Sequence, residues 1–392
     1  MGNRVRLSDV AKRAEVGVGT VSRVLNRSAK VSAITRKKVL DAIAELGYRP
    51  NLVARGLAAN RTGLIAAIIP EIGYTQHSEI ILGMTDVLHA NEMNLMIGTC
   101  GYLDGGELQV IEAFLDRRPD AIYVTGVRHT EAVRTALERS GIPVVEGGNL
   151  TDHPIDTVVG YSNFNASADL TRLLIDRGYR RIWHVTVNKD SNNGRAEDRL
   201  EGFQRATSTE GGLEVNVIRC ENSFDGGAEA VRLVTASGVK VEALTFATDV
   251  MAVGGLLECH RRGIVVPERL AIAGFGDLAI ARSINPSLTT VKIDRVGLGR
   301  KAAEIIVSRL QGNDHSSQIV DVGFEVVERE STRRSDRAAH SSSIPQFKIF
   351  PEAIVKTQFE GSPEKAVCKL GAGPLPTIPL VWVTWQRERG IL

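Results

Sequence analysis

The chain has 392 residues, 43% hydrophobic and 24% charged, a composition that excludes collagenous and low-complexity classes and leaves room for two or three globular domains. Its net charge of +2 is unevenly held: residues 1–62 carry 13 Lys+Arg against 4 Asp+Glu, or +9, so residues 63–392 carry −7. A basic head on a mildly acidic body predicts a polyanionic partner for the head alone.

In chain order, LSDVAKRAEVGVGTVSRVLN (7–26) reads as two short helices joined by a tight turn. Ser8 is the expected N-cap of the first, its hydroxyl accepting from a first-turn amide. Val10, Ala11 and Ala14 share one face, Glu15-Val16-Gly17 makes the turn, and Val21, Val24 and Leu25 form the buried stripe of the second helix. Thr20, Ser22, Arg23 and Asn26 are left facing outward, where short polar groups and a guanidinium can meet phosphates and base edges. Ser32 caps a third helix, SAITRKKVLDAIAELG, with Ile34, Val39, Ala42, Ile43 and Leu46 at helical spacing and Gly47 at its end. Pro50 breaks the pattern. NLVARGLAAN (51–60) is a short helix candidate, below the ~12–15 residues at which isolated helices become marginal in water and weakened by Gly56. It is expected to fold only when a partner orders it, with Leu57 as an apolar wedge; the alternative is an ordinary linker.

From Gly63 the texture changes. LIAAIIP (64–70), NLMIGTC (94–100), AIYVTGV (121–127) and IPVVEGG (142–148) read as buried strands. SEIILGMTDVLHANEM (78–93), GGELQVIEAFLDRRP (105–119) and TEAVRTALERSG (130–141) read as the helices between them. A second alternating series supplies strands RIWHVTV, VNVIRC, ALTFATD and LAIAGFG. After Pro286 come a strand, LTTVKID (288–294), a helix, VGLGRKAAEIIVSRLQG (296–312), and a final strand pair, QIVDVGFEVVERES (318–331), able to return the chain to lobes begun earlier. The expected fold is an all-α helix-turn-helix head plus an α/β core of two doubly wound parallel-sheet lobes. Ligands in such sheets bind beyond the strand C-termini, so the cleft between lobes is the default pocket.

The expected divisions are a helix-turn-helix head at 1–50, a short helix or linker at 51–62, a two-lobed core at 63–334, and a poorly ordered C-terminal extension at 335–392; the resemblance given below implies DNA binding for the first, a hinge for the second, and effector binding and dimerisation for the third. That extension holds Trp382 and Trp385 and has no assigned role. Cys100, Cys220, Cys259 and Cys368 lie far apart without CxxC spacing, which argues against zinc or disulfides. No GxxxxGK[ST], GxSxG or HExxH pattern occurs, so neither catalysis nor a cofactor or metal is expected. MGNRVRLSDV lacks the apolar run of a signal peptide, and no run approaches the ~18 residues that span a membrane, so a cytoplasmic protein is expected.

Together, LSDVAKRAEVGVGTVSRVLN, ELGYRPNLVARGLA, NPSLTTV and RESTRR resemble the lactose-repressor family of bacterial transcription regulators, over roughly residues 5–334. The resemblance implies a repressor that reads palindromic double-stranded operator DNA as a homodimer or a dimer of dimers. It also implies a hinge helix entering the minor groove and an effector-binding core of periplasmic-binding-protein type I that takes a small sugar or sugar acid. It places Val18 and Gly19 at the base-reading start of the recognition helix, and Thr20, Ser22, Arg23 and Asn26 in the backbone- and base-contacting set. Leu57, with Ala54 beside it, matches the hinge leucine that pries open a central base step at a cost of a few kcal/mol. The family commonly has Ser at the position of Gly17 and a polar side chain at that of Gly19. Without them, specificity should rest on Val18, Arg23 or DNA shape.

In the core, Arg199 of RLEGF matches the arginine that usually contacts the sugar, and Thr248-Asp249 a pocket strand end that is often Asn-Asp. Gly276-Asp277 stands where many members have Asp-Asp, and Arg295 where many place an aromatic or apolar group. Losing an acid and gaining an arginine shifts the cleft toward an anion, with Arg199 and Arg295 as a guanidinium pair; the alternative for Arg295 is a surface or interlobe salt bridge. Tyr161 joins the expected effector set. Glu146 and His129 resemble pocket-edge residues of the gluconate-utilisation repressors, to which AVGGLLECHRRGIVVPERLAIAGF is also similar, so a gluconate-like acid is the lead. The competing function class is a cytoplasmic sugar-binding or sugar-processing protein with an accessory DNA-binding head. Asp249 as a helix cap and His184 as a core residue are the structural alternatives to ligand roles.

Overall fold

The computed structural model describes residues 5–25, 30–48, 61–73, 75–101, 106–188, 194–313 and 316–334. The expectations for Asn26, Ala54, Leu57, the helix at 51–60 and the segment 335–392 lie outside the described residues.

The head consists of α1 (Leu7–Arg13), α2 (Val18–Leu25) and α3 (Ala33–Leu46). Val10, Ala14, Val21, Val24, Val39 and Ala42 are buried against one another, and Leu25 packs on them half-buried. Glu15 turns the chain between α1 and α2 with a left-handed φ of 54°. Ser32 caps α3 by accepting from the Thr35 amide at 3.2 Å, and Gly47 ends it at φ 60°. Two expectations fail here. Ser8 is not a cap: α1 starts two residues earlier than that cap would set it, and the amide of Arg6 in the N-cap position donates to Asp9 Oδ2 at 2.8 Å. A first-turn carboxylate wins that place because it meets both the free amides and the positive helix end. Ile34 is not core either, at 75% exposure. It stands five residues before Val39 and so is rotated about 140° from it around the helix.

The core carries strands β1 (Leu64–Ile69), β2 (Asn94–Thr99), β3 (Ala121–Thr125), β4 (Val144–Gly147) and β5 (Thr157–Gly160), then β6 (Arg181–Val187), β7 (Glu214–Cys220), β8 (Ala243–Phe246) and β9 (Ala271–Ala273). It ends with β10 (Thr290–Lys292), β11 (Ile319–Asp321) and β12 (Glu325–Val327). Between them run α4 (Thr75–Ala90), α5 (Gly106–Leu115), α6 (Glu131–Ser140), α7 (Asn163–Asp176), α8 (Arg195–Ser208), α9 (Phe224–Ala236), α10 (Asp249–Arg261) and α11 (Arg295–Leu310). Two parallel sheets result, ordered β2-β1-β3-β4-β5-β11 and β7-β6-β8-β9. The first four positions of one sheet repeat the order of the other, which is how the two alternating series become two similar lobes.

Strand β5 escapes the sequence reading because four residues, TVVG, carry too little periodicity. The expected final strand pair is also divided differently: β11 pairs in parallel with β5 in the first lobe, whereas β12 pairs antiparallel with β10. Each strand finds a partner begun earlier, so the chain crosses between lobes. Helices α4 and α11 touch through glycine. A Cβ on Gly83 would lie 2.0 Å from the Val296 carbonyl oxygen, and one on Gly299 would lie 2.0 Å from that of Ile80. This contact sets the first turns of both helices, with His77, Glu79 and Arg295, side by side at the cleft.

Candidate functional site

The outer edge of the head is built by α2. Val18 is 48% exposed, Gly19 and Arg23 are exposed, and Thr20 and Ser22 are half-buried. The Arg23 guanidinium folds along its own helix, donating from Nε to the Gly19 carbonyl at 3.1 Å and from Nη2 to Thr20 Oγ1 at 3.4 Å. Thr20, Arg23 and the Gly19 backbone thereby share one polar edge beside an apolar Val18. A Cβ at Gly17 or Gly19 would meet nothing within 4 Å, and neither glycine has a left-handed φ. Packing therefore does not require glycine at either place.

In the core, Arg199 of α8 is buried and held by several partners. Its Nε donates to Asn163 Oδ1 at 2.8 Å, its Nη1 to the Ala247 carbonyl, and the guanidinium lies 3.8 Å over the Phe275 ring. Tyr161 shares a hydrogen bond with it and stacks beside Phe275 at 6.5 Å between ring centroids. Arg195, one turn earlier on the same helix face, is also buried, and its Nη2 has no hydrogen-bond partner. Among the described residues neither arginine has a carboxylate partner. The concentration of positive charge is visible in its effects. Burial, then the charges of Arg195 and Arg295, pull the Arg199 pKa down to about 10. Burial and the same two arginines push His77 of α4 down to about 3, so it is neutral.

Arg295 is different. Its Nη1 donates to the Gly276 carbonyl of the second lobe at 2.7 Å and pairs with Glu79 of α4 at 3.2 Å. The expected Arg199–Arg295 pair thus has one neutralised member, and Arg295 makes an interlobe contact of the kind held as its alternative. Asp249 does not cap α10; Thr248 does, accepting from the Met251 amide at 3.3 Å while donating to Asn222. Asp249 instead accepts from Thr290 Oγ1 at 2.6 Å and from the Leu278 amide at 2.7 Å. Burial raises its pKa to about 6 against those bonds and the nearby Arg295 charge. Asp277, at φ 50°, is held by Arg329 at 2.6 Å.

Glu146 and His129 come together on the α5–α6 side of the first sheet. Glu146 shares the strand face of Val144, whose side chain packs with Ile111 and Val133 of those helices. His129 Nδ1 meets Glu107 at 2.9 Å and its Nε2 faces Glu146 at 3.5 Å, while Glu146 also accepts the Ile155 amide at 2.6 Å. Burial opposes the imidazolium, but the two carboxylates overcome it and raise His129 to about 9. His184 stacks on Phe203 at 5.1 Å, meets Thr245 Oγ1 at 2.9 Å and is driven by burial to about 3, a neutral core histidine.

Sequence reasoning missed Arg195, His77, Asn163 and Phe275. Only Arg195 left a usable signal, since RAEDR sets it four residues before Arg199 on one helix face. Among the described residues no group of His, Cys, Asp or Glu is placed to hold a metal, and no helix is long and apolar enough to cross a membrane.

Comparison with known proteins assigns residues 6–51 to the lacI family of bacterial regulatory proteins and residues 171–332 to the periplasmic binding protein-like domain. The chain is 34% identical over 333 residues to the HTH-type transcriptional regulator GntR of Pseudomonas aeruginosa, covering 84% of this chain and 96% of that one. A crystal structure of a LacI-family regulator from Silicibacter pomeroyi is similar at TM-score 0.77 and 32% identity, covering 84% of this chain and all of its own. The transcriptional regulator CelR in complex with cellobiose is similar at TM-score 0.61 and 28% identity, covering 84% of this chain and 100% of that one.

Proposed function

The chain belongs to the lacI family of bacterial regulatory proteins, a DNA-binding transcription regulator and not an enzyme, and from that premise we propose that it is a repressor released or retained by a sugar acid bound between its lobes. The observation that carries the ligand class is the pair of buried guanidiniums on α8, Arg195 and Arg199, without an acidic partner among the described residues and with an unfilled donor at Arg195 Nη2. A buried donor left unmade costs about 1–3 kcal/mol, and a buried unpaired charge more, so an anion bound there is favoured on both counts. Tyr161 and Phe275 offer the flat apolar surface that a sugar ring takes, and the CelR–cellobiose complex supports a sugar-like ligand. The operator contacts assigned to Val18, Gly19, Thr20, Ser22 and Arg23, the homodimeric assembly, and the divisions at 50, 62 and 334 belong to the same proposal.

Calorimetry with D-gluconate, related aldonates and the matching neutral sugars tests the ligand class. An acid should bind, and Arg195→Gln should weaken it by about ten- to 150-fold, the worth of one charged hydrogen bond. Binding confined to neutral sugars, or an acid that ignores Arg195→Gln, contradicts the proposal.

A further inference from the structure

A chain of polar side chains runs from the surface between the lobes to Arg199. Arg128, in the loop after β3 of the first lobe, pairs with Asp198 of α8 in the second. Asp198 also accepts from Asn149 Nδ2, again from the first lobe. Asn149 Oδ1 accepts from Asn163 Nδ2 at 3.1 Å, and the same Nδ2 reaches the Gly148 carbonyl at 3.2 Å. Asn163 Oδ1 then accepts from Arg199 Nε at 2.8 Å. The chain crosses between lobes three times before it ends on the ligand arginine.

Its direction is fixed by groups that can only accept, a carboxylate at Asn149 and a backbone carbonyl at Asn163. Carboxamide ends differ only in which atom donates, and either orientation fits the same space. An ionised carboxylate can only accept, so Asp198 compels Asn149 to present its nitrogen. Asn149 then offers its oxygen to Asn163, which must give its nitrogen there and so turns its own oxygen toward Arg199. The Gly148 carbonyl, which can also only accept, holds Asn163 in the same sense, so the acceptors of both lobes agree in turning its oxygen to a guanidinium that has no acceptor. Arg128 holds Asp198 in place from the other lobe. Its fit is close, since a Cβ on Gly194 (φ 62°) would lie 2.6 Å from Arg128 Cδ.

We infer that Arg128 and Asp198 are positioning residues for the effector site: when the lobes meet, their ion pair orients Asn149 and Asn163 and thereby sets the Arg199 guanidinium. Lobe closure and assembly of the anion site are then one event. The ligand meets a finished site only in the closed arrangement, and separation of the lobes disorders the relay before Arg199 itself moves. The inference rests on Arg199 as a ligand group, as proposed above.

The test reads Arg199 without any ligand, so it can fail independently of the sugar-acid reading. In the full chain, the Arg199 side-chain Nε–H signal, assigned by its loss in Arg199→Lys, is followed by solvent exchange in nuclear magnetic resonance. Arg128→Gln and Asp198→Asn should each speed that exchange by about fivefold or more, a coupling at the low end of the usual range, while amides of β6 and β8 keep their wild-type rates. Arg128→Lys, which keeps the charge, should restore most of the protection. Unchanged Arg199 exchange in both variants overturns the inference, as does acceleration that spreads equally to β6 and β8. If Asp198→Asn does not fold, Asn149→Ser interrupts the same relay one step later and carries the same expectation. With D-gluconate and D-glucose as probes, Arg128→Gln should reduce the preference for the acid about fivefold or more; an unchanged ratio where gluconate binds also overturns it.

Discussion

His129 gives a stability prediction with a definite sign. The imidazole lies between Glu107 and Glu146, and those carboxylates raise its pKa from 6.5 to about 9 in the folded chain. The folded state therefore holds a proton that the unfolded chain gives up near 6.5. The stabilisation is fully present below pH 6.5 and is lost as pH rises through about 9. A shift of that size corresponds to about 3 kcal/mol at 1.36 kcal/mol per unit. His129→Gln keeps a hydrogen-bonding group in the space but cannot take the charge. The variant should be less stable than wild type by about 3 kcal/mol at pH 6.5, with the gap closing to near zero above about pH 9. Urea unfolding followed by circular dichroism, with hydrogen exchange at β3 and β4 to confine the effect to the first lobe, measures the gap. A gap that is constant across this window refutes the argument, because it would mean that His129 contributes by shape and not by charge.

Three further outcomes follow from the geometry. Gly19→Ala should stabilise the head by about 0.5–1 kcal/mol in thermal unfolding, since alanine is the better helix former and the added Cβ meets nothing within 4 Å. Gly19→Gln should leave the head folded and alter the preferred operator sequence at one base position, read by selection from a random duplex library. Gly299→Ala should destabilise the core by about 1–3 kcal/mol or more in urea, because its Cβ would lie 2.0 Å from the Ile80 carbonyl oxygen and the helices must part.

Local spacing made the head legible. Val10, Ala14, Val21 and Val24 fall on facing helical stripes, and their burial needs no information from elsewhere in the chain. The alternating strands and helices were legible for the same reason, until a strand shrank to the four residues of β5. Site residues were legible only as far as their own motif. The resemblance singles out Arg199 through RLEGF and Asp249 through the Thr-Asp strand end, but says nothing of their partners. Glu79 stands 216 positions from Arg295, and Arg329 stands 52 from Asp277, so those pairings are decided by the packing of whole helices and strands. Sequence therefore leaves Arg295 between an anion-binding pair with Arg199 and an interlobe salt bridge, and only the packed structure supplies Glu79 and the Gly276 carbonyl. His129 and Glu146 were assigned to a pocket edge, while the strand face of Glu146 directs it into the cluster with Glu107. Arg195 could have been found from RAEDR, had the i, i+4 face been followed back one turn.

The central claim is that one molecule reads DNA with its head and answers to a small acid in its core. The most direct measurement is the affinity of the full chain for a duplex that it has itself selected from a random library, at fixed salt, with and without a saturating sugar acid. The account predicts a palindromic selection and a change in affinity of about 5–150-fold on adding the acid. Selection of no duplex over random DNA, or an affinity unmoved by an acid that calorimetry shows to be bound, would contradict it.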